Sequence, residues 1–285
     1  MSKVVLFNHI PKTAGSTISR ILTRSSGAGD LVYVPASRSA VEEVAHRLES
    51  APAVNVAIYT HAGCGVERYL PLTHSYLDLT FLRNPIERTV SRYFYGFDIP
   101  KSDPHWIAPG TSLSEFLETD TPGAFNAQVA FLGGLTVKHH LEGLPITREM
   151  YDRDLLEKAK QNLAGHVAFG LAERFDESVL LLRHAFEWPT WRTLYRPVNA
   201  GRTRQTSRPI AQADLDAVKA SNELDMELYA FACDIFAERL AQIGNHRGQL
   251  SRFKAMNQVA LHAYSSIYAP GRKLMRGSVK RVSLR

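Results

Sequence analysis

The segment Asn8-His9-Ile10-Pro11-Lys12-Thr13-Ala14-Gly15-Ser16-Thr17 joins an apolar run, Val4 to Phe7, to a helical pattern, Ser16 to Thr23. A helix N-terminus exposes unpaired backbone N–H groups and a partial positive charge; small residues let an anion approach them, and Lys12 adds a full charge. This is the chemistry of an anion cradle. It is not a Walker A loop, because GxxxxGK[ST] is absent and no glycine precedes Lys12. Phosphoryl transfer normally holds Mg²⁺ with help from a carboxylate at a second strand end. Here Tyr59-Thr60-His61 and Phe81-Leu82-Arg83-Asn84 end their apolar runs in a histidine and an arginine, so the pattern reads as one built for metal-free transfer.

These residues need elements to hold them. Val4 to Phe7, Leu31 to Val34, Val54 to Thr60, Tyr76 to Leu82 and Val167 to Gly170 read as short strands alternating with helical patterns, which predicts an α/β domain with a central parallel sheet flanked by helices. Val41, Val44, Ala45 and Leu48 recur at helical spacing behind a cap at Ser39. Asn84 caps a helix opened by Pro85, with Ile86, Val90, Tyr93 and Phe94 on one side. Leu155 to Leu163, Glu173 to Phe186 and Asp214 to Leu240 read as long helices, and Gly96 to Gly110 as a surface loop in which His105 and Trp106 would line an acceptor cleft.

Length and composition fit this reading. A chain of 285 residues, 45% hydrophobic and 22% charged, has ample core for one large α/β domain and is neither disordered nor fibrous. Two distant cysteines, Cys64 and Cys233, support neither a disulfide framework nor a cysteine zinc site. The histidines, including the adjacent His139 and His140, show no ligand spacing for a metal. With only about four apolar residues in a row at its start, the chain is expected in the cytosol.

The net charge of +6 is unevenly placed. Ten Lys/Arg and no acidic residue lie between Arg239 and Arg285, leaving 24 basic against 28 acidic residues in the first 238, so the body carries about −4 and nucleic acid is not an expected partner. A boundary near Gly244 divides a body, residues 1–244, from a basic, helical extension, 245–285. Phe253, Met256, Val259, Ala260, Ala263 and Ile267 among basic residues give that extension an amphipathic pattern suited to peripheral contact with anionic lipid or an acidic polymer; a helix docked on the body is the other reading.

The motifs resemble a known family. Pro11-Lys12-Thr13-Ala14-Gly15-Ser16-Thr17 is similar to the 5′-phosphosulfate loop of sulfotransferases that use 3′-phosphoadenosine 5′-phosphosulfate (PAPS), and Arg83-Asn84-Pro85-Ile86-Glu87-Arg88-Thr89-Val90-Ser91-Arg92-Tyr93-Phe94-Tyr95 resembles their 3′-phosphate motif. Gly170-Leu171-Ala172-Glu173-Arg174-Phe175-Asp176-Glu177-Ser178 resembles a segment of the branch containing heparan sulfate 2-O-sulfotransferases and bacterial relatives. The resemblance spans residues 3–240 and leaves the tail outside. It implies a P-loop-type three-layer domain that moves a sulfuryl group by in-line displacement to a hydroxyl, on a glycan or glycolipid. Lys12 would stabilise the leaving phosphate, residues 11–17 would hold the 5′-phosphate, and Arg83 and Ser91 the 3′-phosphate. His61 aligns with the family's general base although Thr60 stands where a glycine is usual, and His9 and Glu87 are competing bases. Asn199 and Arg202, on a late basic loop that includes Arg204, would close the nucleotide site. On the plainer reading Arg83 merely pairs with Glu87 and His61 is structural. Two other functions stay open: a Mg²⁺-dependent nucleotide or sugar kinase, and a non-catalytic anion-binding protein.

Overall fold

In the computed structural model of the chain the described residues are 4–25, 31–50, 57–71, 76–103, 105–119, 123–166, 168–197 and 210–268. Five strands, β1 (Val4–Asn8), β2 (Leu31–Val34), β3 (Ala57–Thr60), β4 (Tyr76–Leu82) and β5 (Ala168–Leu171), form one sheet in the order β2-β3-β1-β4-β5, with every pairing parallel. The helices are α1 (Gly15–Ser25), α2 (Arg38–Ser50), α3 (Pro85–Phe97), α4 (Leu113–Glu118), α5 (Ala127–Leu132), α6 (Leu135–Glu142), α7 (Arg153–Gly165), α8 (Phe175–Phe186), α9 (Thr190–Thr193), α10 (Gln212–Ser221), α11 (Glu223–Ala241) and α12 (His246–Tyr268).

Because successive strand side chains point to opposite faces, β1 divides its residues between two cores. Val5 and Phe7 pack with Ile18, Ile21 and Leu22 of α1 and Val179 and Leu182 of α8. Leu6 packs on the other face with Val41 of α2 and Val137 and Leu141 of α6. Helices thus cover both faces, as a buried parallel sheet requires, and the expected three-layer α/β architecture is the one observed.

Several local expectations shift for identifiable reasons. The first turn of α2 is braced by Ser37 rather than Ser39: the Ser37 hydroxyl accepts the Ala40 N–H at 3.4 Å and its carbonyl the Val41 N–H at 3.1 Å. Asn84 caps α3 as expected, taking the N–H groups of Ile86 and Glu87. The predicted Asp214–Leu240 helix is divided at Asn222, whose fully buried side chain accepts from Asn126 N–H at 2.9 Å and the Thr89 hydroxyl at 3.3 Å. The loop expected from Gly96 begins later, at Asp98, because Gly96 lies inside α3 where the Ile107 side chain packs against its backbone. The basic extension's helix α12 docks on α8: Phe253 is buried in the core beside β1, and Asn257 Oδ1 accepts the Tyr195 N–H at 2.7 Å.

Candidate active site

Parallel pairing aligns Asn8 of β1 with Thr60 of β3 on one side and Thr80 of β4 on the other, so three adjacent strands deliver their following residues to one rim of the sheet. The His9 N–H donates to the Thr60 carbonyl at 2.9 Å, and the Thr80 hydroxyl donates to the Asn8 carbonyl at 2.8 Å, which pins the start of the loop after β1. Ligands of open parallel sheets bind at this carboxyl edge, where connections leave a central strand in opposite directions. Here β1 lies between β3 and β4 and satisfies that description.

The loop itself is set by backbone geometry. Lys12 and Ala14 adopt left-handed φ values of 75° and 68°, a conformation that costs a non-glycine residue about 1 kcal/mol or more. Placed one residue apart before a helix, such conformations turn successive N–H groups toward a common concavity that favours anions. Thr13, fully buried, braces the turn by donating its hydroxyl to the Ile10 carbonyl at 2.7 Å. Gly15 is required by packing: a Cβ there would lie 2.0 Å from Nε2 of His9. Pro11 and Ala14 flank the concavity half-buried, Ser16 faces solvent and Thr17 is buried.

Charge converges on this loop. The Lys12 ammonium sits 4.2 Å from the centre of the Tyr95 ring on α3. Burial, and then the cations Arg83 and Arg92, lower its pKa to about 8. Arg83, the residue after β4, is held by a backbone clamp: its N–H donates to Gln128 Oε1 and its carbonyl accepts Gln128 Nε2–H, both at 2.9 Å. Its guanidinium meets Glu87 at 3.0 Å, lies 4.0 Å from Glu173 and reaches the Lys12 carbonyl at 3.4 Å. The pairing with Glu87 is therefore present, but the Glu87 side chain is 57% exposed, and such pairs contribute little. Ser91 is buried on α3, and beside it Arg92 is buried with Nη1 unpartnered. Burial lowers the Arg92 pKa to about 10.

His61, just past β3, lies with Nε2 2.8 Å from His9 Nδ1 and 3.0 Å from the Tyr59 hydroxyl. Desolvation, reinforced by His105 and His140, lowers its pKa to about 4, and deeper burial holds His9 well below the ordinary histidine range. His105 belongs to the loop between α3 and α4, which Arg92 ties down by donating to the His105 carbonyl at 3.1 Å. Lys12, residues 11–17, Arg83, Ser91 and His61 thus all lie on elements leaving one sheet edge. Asn199 and Arg202, with Arg204, lie outside the described residues. Among the described residues no group of three or more His, Cys, Asp or Glu side chains is placed to hold a metal ion.

Sequence reasoning placed Arg92 and Tyr95 within the 3′-phosphate motif without giving either a role, gave Tyr59 none, and treated His9 only as a rival base. The available signal for Arg92 was its place directly after Ser91 and one helical turn from Arg88, which is also buried. The Gly170–Ser178 segment holds the frame: the Ser178 hydroxyl accepts the Leu171 N–H at 2.9 Å and donates to the Leu171 carbonyl at 3.0 Å, while Glu173 accepts the Asn84 N–H at 2.8 Å.

A parallel sheet whose central strand ends in a loop with left-handed residues before a helix, flanked by an arginine and a histidine from the neighbouring strand ends, is the arrangement by which α/β proteins bind nucleotide phosphates. The family model described as galactose-3-O-sulfotransferase matches residues 1–261, and the chain belongs to that family. The match extends into α12, beyond the residue-240 limit of the motif resemblance. Similar curated proteins include heparan-sulfate 6-O-sulfotransferase 2 of Gallus gallus, 31% identical over 151 residues (52% of this chain, 36% of the relative). Others are heparan-sulfate 6-O-sulfotransferase 1 of Cricetulus griseus, 26% identical over 183 residues (56% and 44%), and 1-B of Danio rerio, 24% over 217 residues (68% and 50%). The chain spans half or less of the length of these relatives. Their names specify 6-O, not the 2-O branch expected from the Gly170–Ser178 segment.

The expectation of a cytosolic protein, and of peripheral contact through the tail, is overturned by these matches to heparan-sulfate sulfotransferases. It had rested on the shortness of the apolar run at the N-terminus, which forms strand β1 as read. Among the described residues no helix is long and apolar enough to cross a membrane.

Proposed function

We propose that this chain transfers a sulfuryl group from PAPS to a hydroxyl of a carbohydrate. The observation that carries the reading is the convergence of Lys12, Arg83 and His61 at the ends of three adjacent parallel strands. The fit to a polyanionic nucleotide rests on the left-handed loop, on the buried Arg92 with an unpartnered Nη1, and on a Lys12 pKa depressed by burial and then by neighbouring cations, the second of which an anion would relieve. The relatives' names, heparan-sulfate and galactose sulfotransferases, favour a glycan or glycolipid acceptor over a small metabolite.

PAPS supplies an activated sulfuryl group on a phosphate leaving group. The N–H groups of the first turn of α1, with Pro11, Thr13, Ala14 and Gly15 shaping the loop and the Ser16 and Thr17 hydroxyls at its mouth, hold the 5′-phosphate. Lys12 neutralises charge developing on the leaving oxygen, an electrostatic contribution of the oxyanion-hole kind. Arg83 and Ser91 hold the 3′-phosphate, with Arg92 adding a third cation; Asn199 and Arg202 complete the nucleotide site. His61 is neutral at pH 7 and accepts the acceptor hydroxyl's proton.

Calorimetric titration with 3′-phosphoadenosine 5′-phosphate tests the nucleotide site. Binding that persists with a chelator and weakens about 10- to 100-fold in Arg83→Ala, the loss of a charge-assisted contact, is expected; preference for Mg-ATP overturns the assignment. His61→Ala should lower kcat by about 10²- to 10⁴-fold with unchanged bisphosphate affinity, and undiminished turnover removes His61 as the base.

A further inference from the structure

Tyr59, His9 and His61 form a triangle at the core end of the site. The Tyr59 hydroxyl lies 2.6 Å from His9 Nδ1 and 3.0 Å from His61 Nε2, and the two ring nitrogens are 2.8 Å apart. The group is packed by its neighbours: Phe7 meets His9 and Tyr59 with ring centres 5.3 and 5.4 Å apart, Tyr33 meets Tyr59 at 5.5 Å, and the Gly15 backbone closes behind His9. Burial keeps both imidazoles neutral, so each carries one N–H.

Only two proton arrangements satisfy the triangle. In one, the Tyr59 O–H donates to His9 Nδ1, the His61 Nε2–H donates to the Tyr59 oxygen, and His61 Nδ1 keeps its lone pair. In the other, the His9 Nδ1–H donates to the Tyr59 oxygen, the Tyr59 O–H donates to His61 Nε2, and His61 Nδ1 carries the proton and cannot act as a base. The contact lengths are the same whichever partner donates, but His61 Nε2 is engaged in both arrangements, so a His61 that acts as the base does so through Nδ1, which only the first arrangement leaves unprotonated. In that arrangement the His9 proton sits on Nε2, which is buried without a partner against Gly15, a cost the arrangement carries.

We propose that His9 and Tyr59 are positioning residues that hold His61 in its Nε2–H tautomer, so that Nδ1 is the atom facing the acceptor hydroxyl. The proposal rests on His61 being the base. As the acceptor oxygen bonds to sulfur and the sulfur–phosphate-oxygen bond breaks, the hydroxyl proton moves to His61 Nδ1. The resulting imidazolium donates Nε2–H to the Tyr59 oxygen, whose O–H in turn donates to the His9 lone pair, and it later returns the extra proton to water. The pair does for His61 what a carboxylate does for the histidine of a hydrolase triad, with a neutral acceptor in place of an anion.

The test is ¹⁵N NMR of histidine-labelled protein, which reads each tautomer directly without substrate. The expected result is a protonated Nε2 and an unprotonated Nδ1 on His61; the opposite tautomer overturns the proposal. His9→Leu should lose this preference and about 10- to 100-fold in kcat, the size typical of second-layer orienting groups, with bisphosphate affinity unchanged. His9→Asn, whose amide oxygen stands where Nδ1 was, should restore most of both. Equal losses in His9→Asn and His9→Leu would mean a packing role alone. Should His9→Leu fail to fold, Tyr59→Phe, which removes one oxygen, carries the same test: a mixed tautomer and lowered kcat are expected, and an unchanged spectrum with unchanged kcat overturns the proposal. Turnover retained in His61→Ala would instead strike at the base assignment, whatever the tautomer.

Discussion

A buried imidazole with no carboxylate against it resists protonation, and this sets the acid behaviour of the site. His61 is held near a pKa of about 4 by desolvation, against about 6.5 in an unfolded chain. The unfolded state therefore binds more protons between these values. The stability associated with the neutral ring is complete above about pH 6.5 and is lost as pH falls toward 4, on the order of 2–3 kcal/mol over the interval. Denaturant titrations at pH 7 and 4.5 should show this fall, and His61→Gln should reduce it. In catalysis the phosphates of the bound nucleotide favour the protonated ring, so the acid limb of kcat should lie at higher pH than that of kcat/KM; coincident limbs would argue that the ring does not sense the nucleotide. At this scale Lys12, Arg83 and His61 were legible in the sequence as candidates because their positions follow strand patterns directly. It did not identify Tyr59 or His9 as partners of His61, because the 2.6–3.0 Å contacts join residues that strand pairing, not sequence spacing, brings together.

At the scale of elements, the loop between β1 and α1 depends on a residue without a side chain. Gly15→Ala places a Cβ 2.0 Å from His9 Nε2, so either the ring or the helix start must move. The expected outcome is a loss of about 1–3 kcal/mol in stability from overpacking, measured by chemical denaturation, together with weaker binding of 3′-phosphoadenosine 5′-phosphate. Gly96→Ala should act differently. Its Cβ would meet Ile107 at 2.4 Å, loosening the loop that carries His105 while leaving the anion loop intact. Titration should find destabilisation of similar size with bisphosphate affinity preserved. The strand-loop-helix order and the Asn84 cap were legible because local chemistry fixes them. The run of α3 through Gly96 and the break at Asn222 were not, since Ile107 in one case and Asn126 with Thr89 in the other impose them from distant parts of the chain.

Across the whole molecule, the basic extension is joined to the body through α12. Phe253 is buried among Val5, Phe7, Leu182 and Phe186, so Phe253→Ala should cost about 3–5 kcal/mol in a denaturant titration of the full chain; a cost below 1 kcal/mol would mean that the helix is a detachable appendage. The direction of charge along the chain says nothing about this, and the amphipathic pattern that gave α12 a lipid-facing reading is equally the pattern of a helix packed on protein. The order of strands and helices, the anion loop after the first strand and the arginine and histidine at later strand ends followed from sequence alone, because hydrophobic period, capping chemistry and charge are local properties. The order β2-β3-β1-β4-β5 was decided only in the folded state, and with it the meeting of His61, Lys12 and Arg83, the tautomer-setting triangle behind His61 and the seat of Phe253. Each depends on which surfaces bury one another, a choice made by packing between segments far apart in the chain.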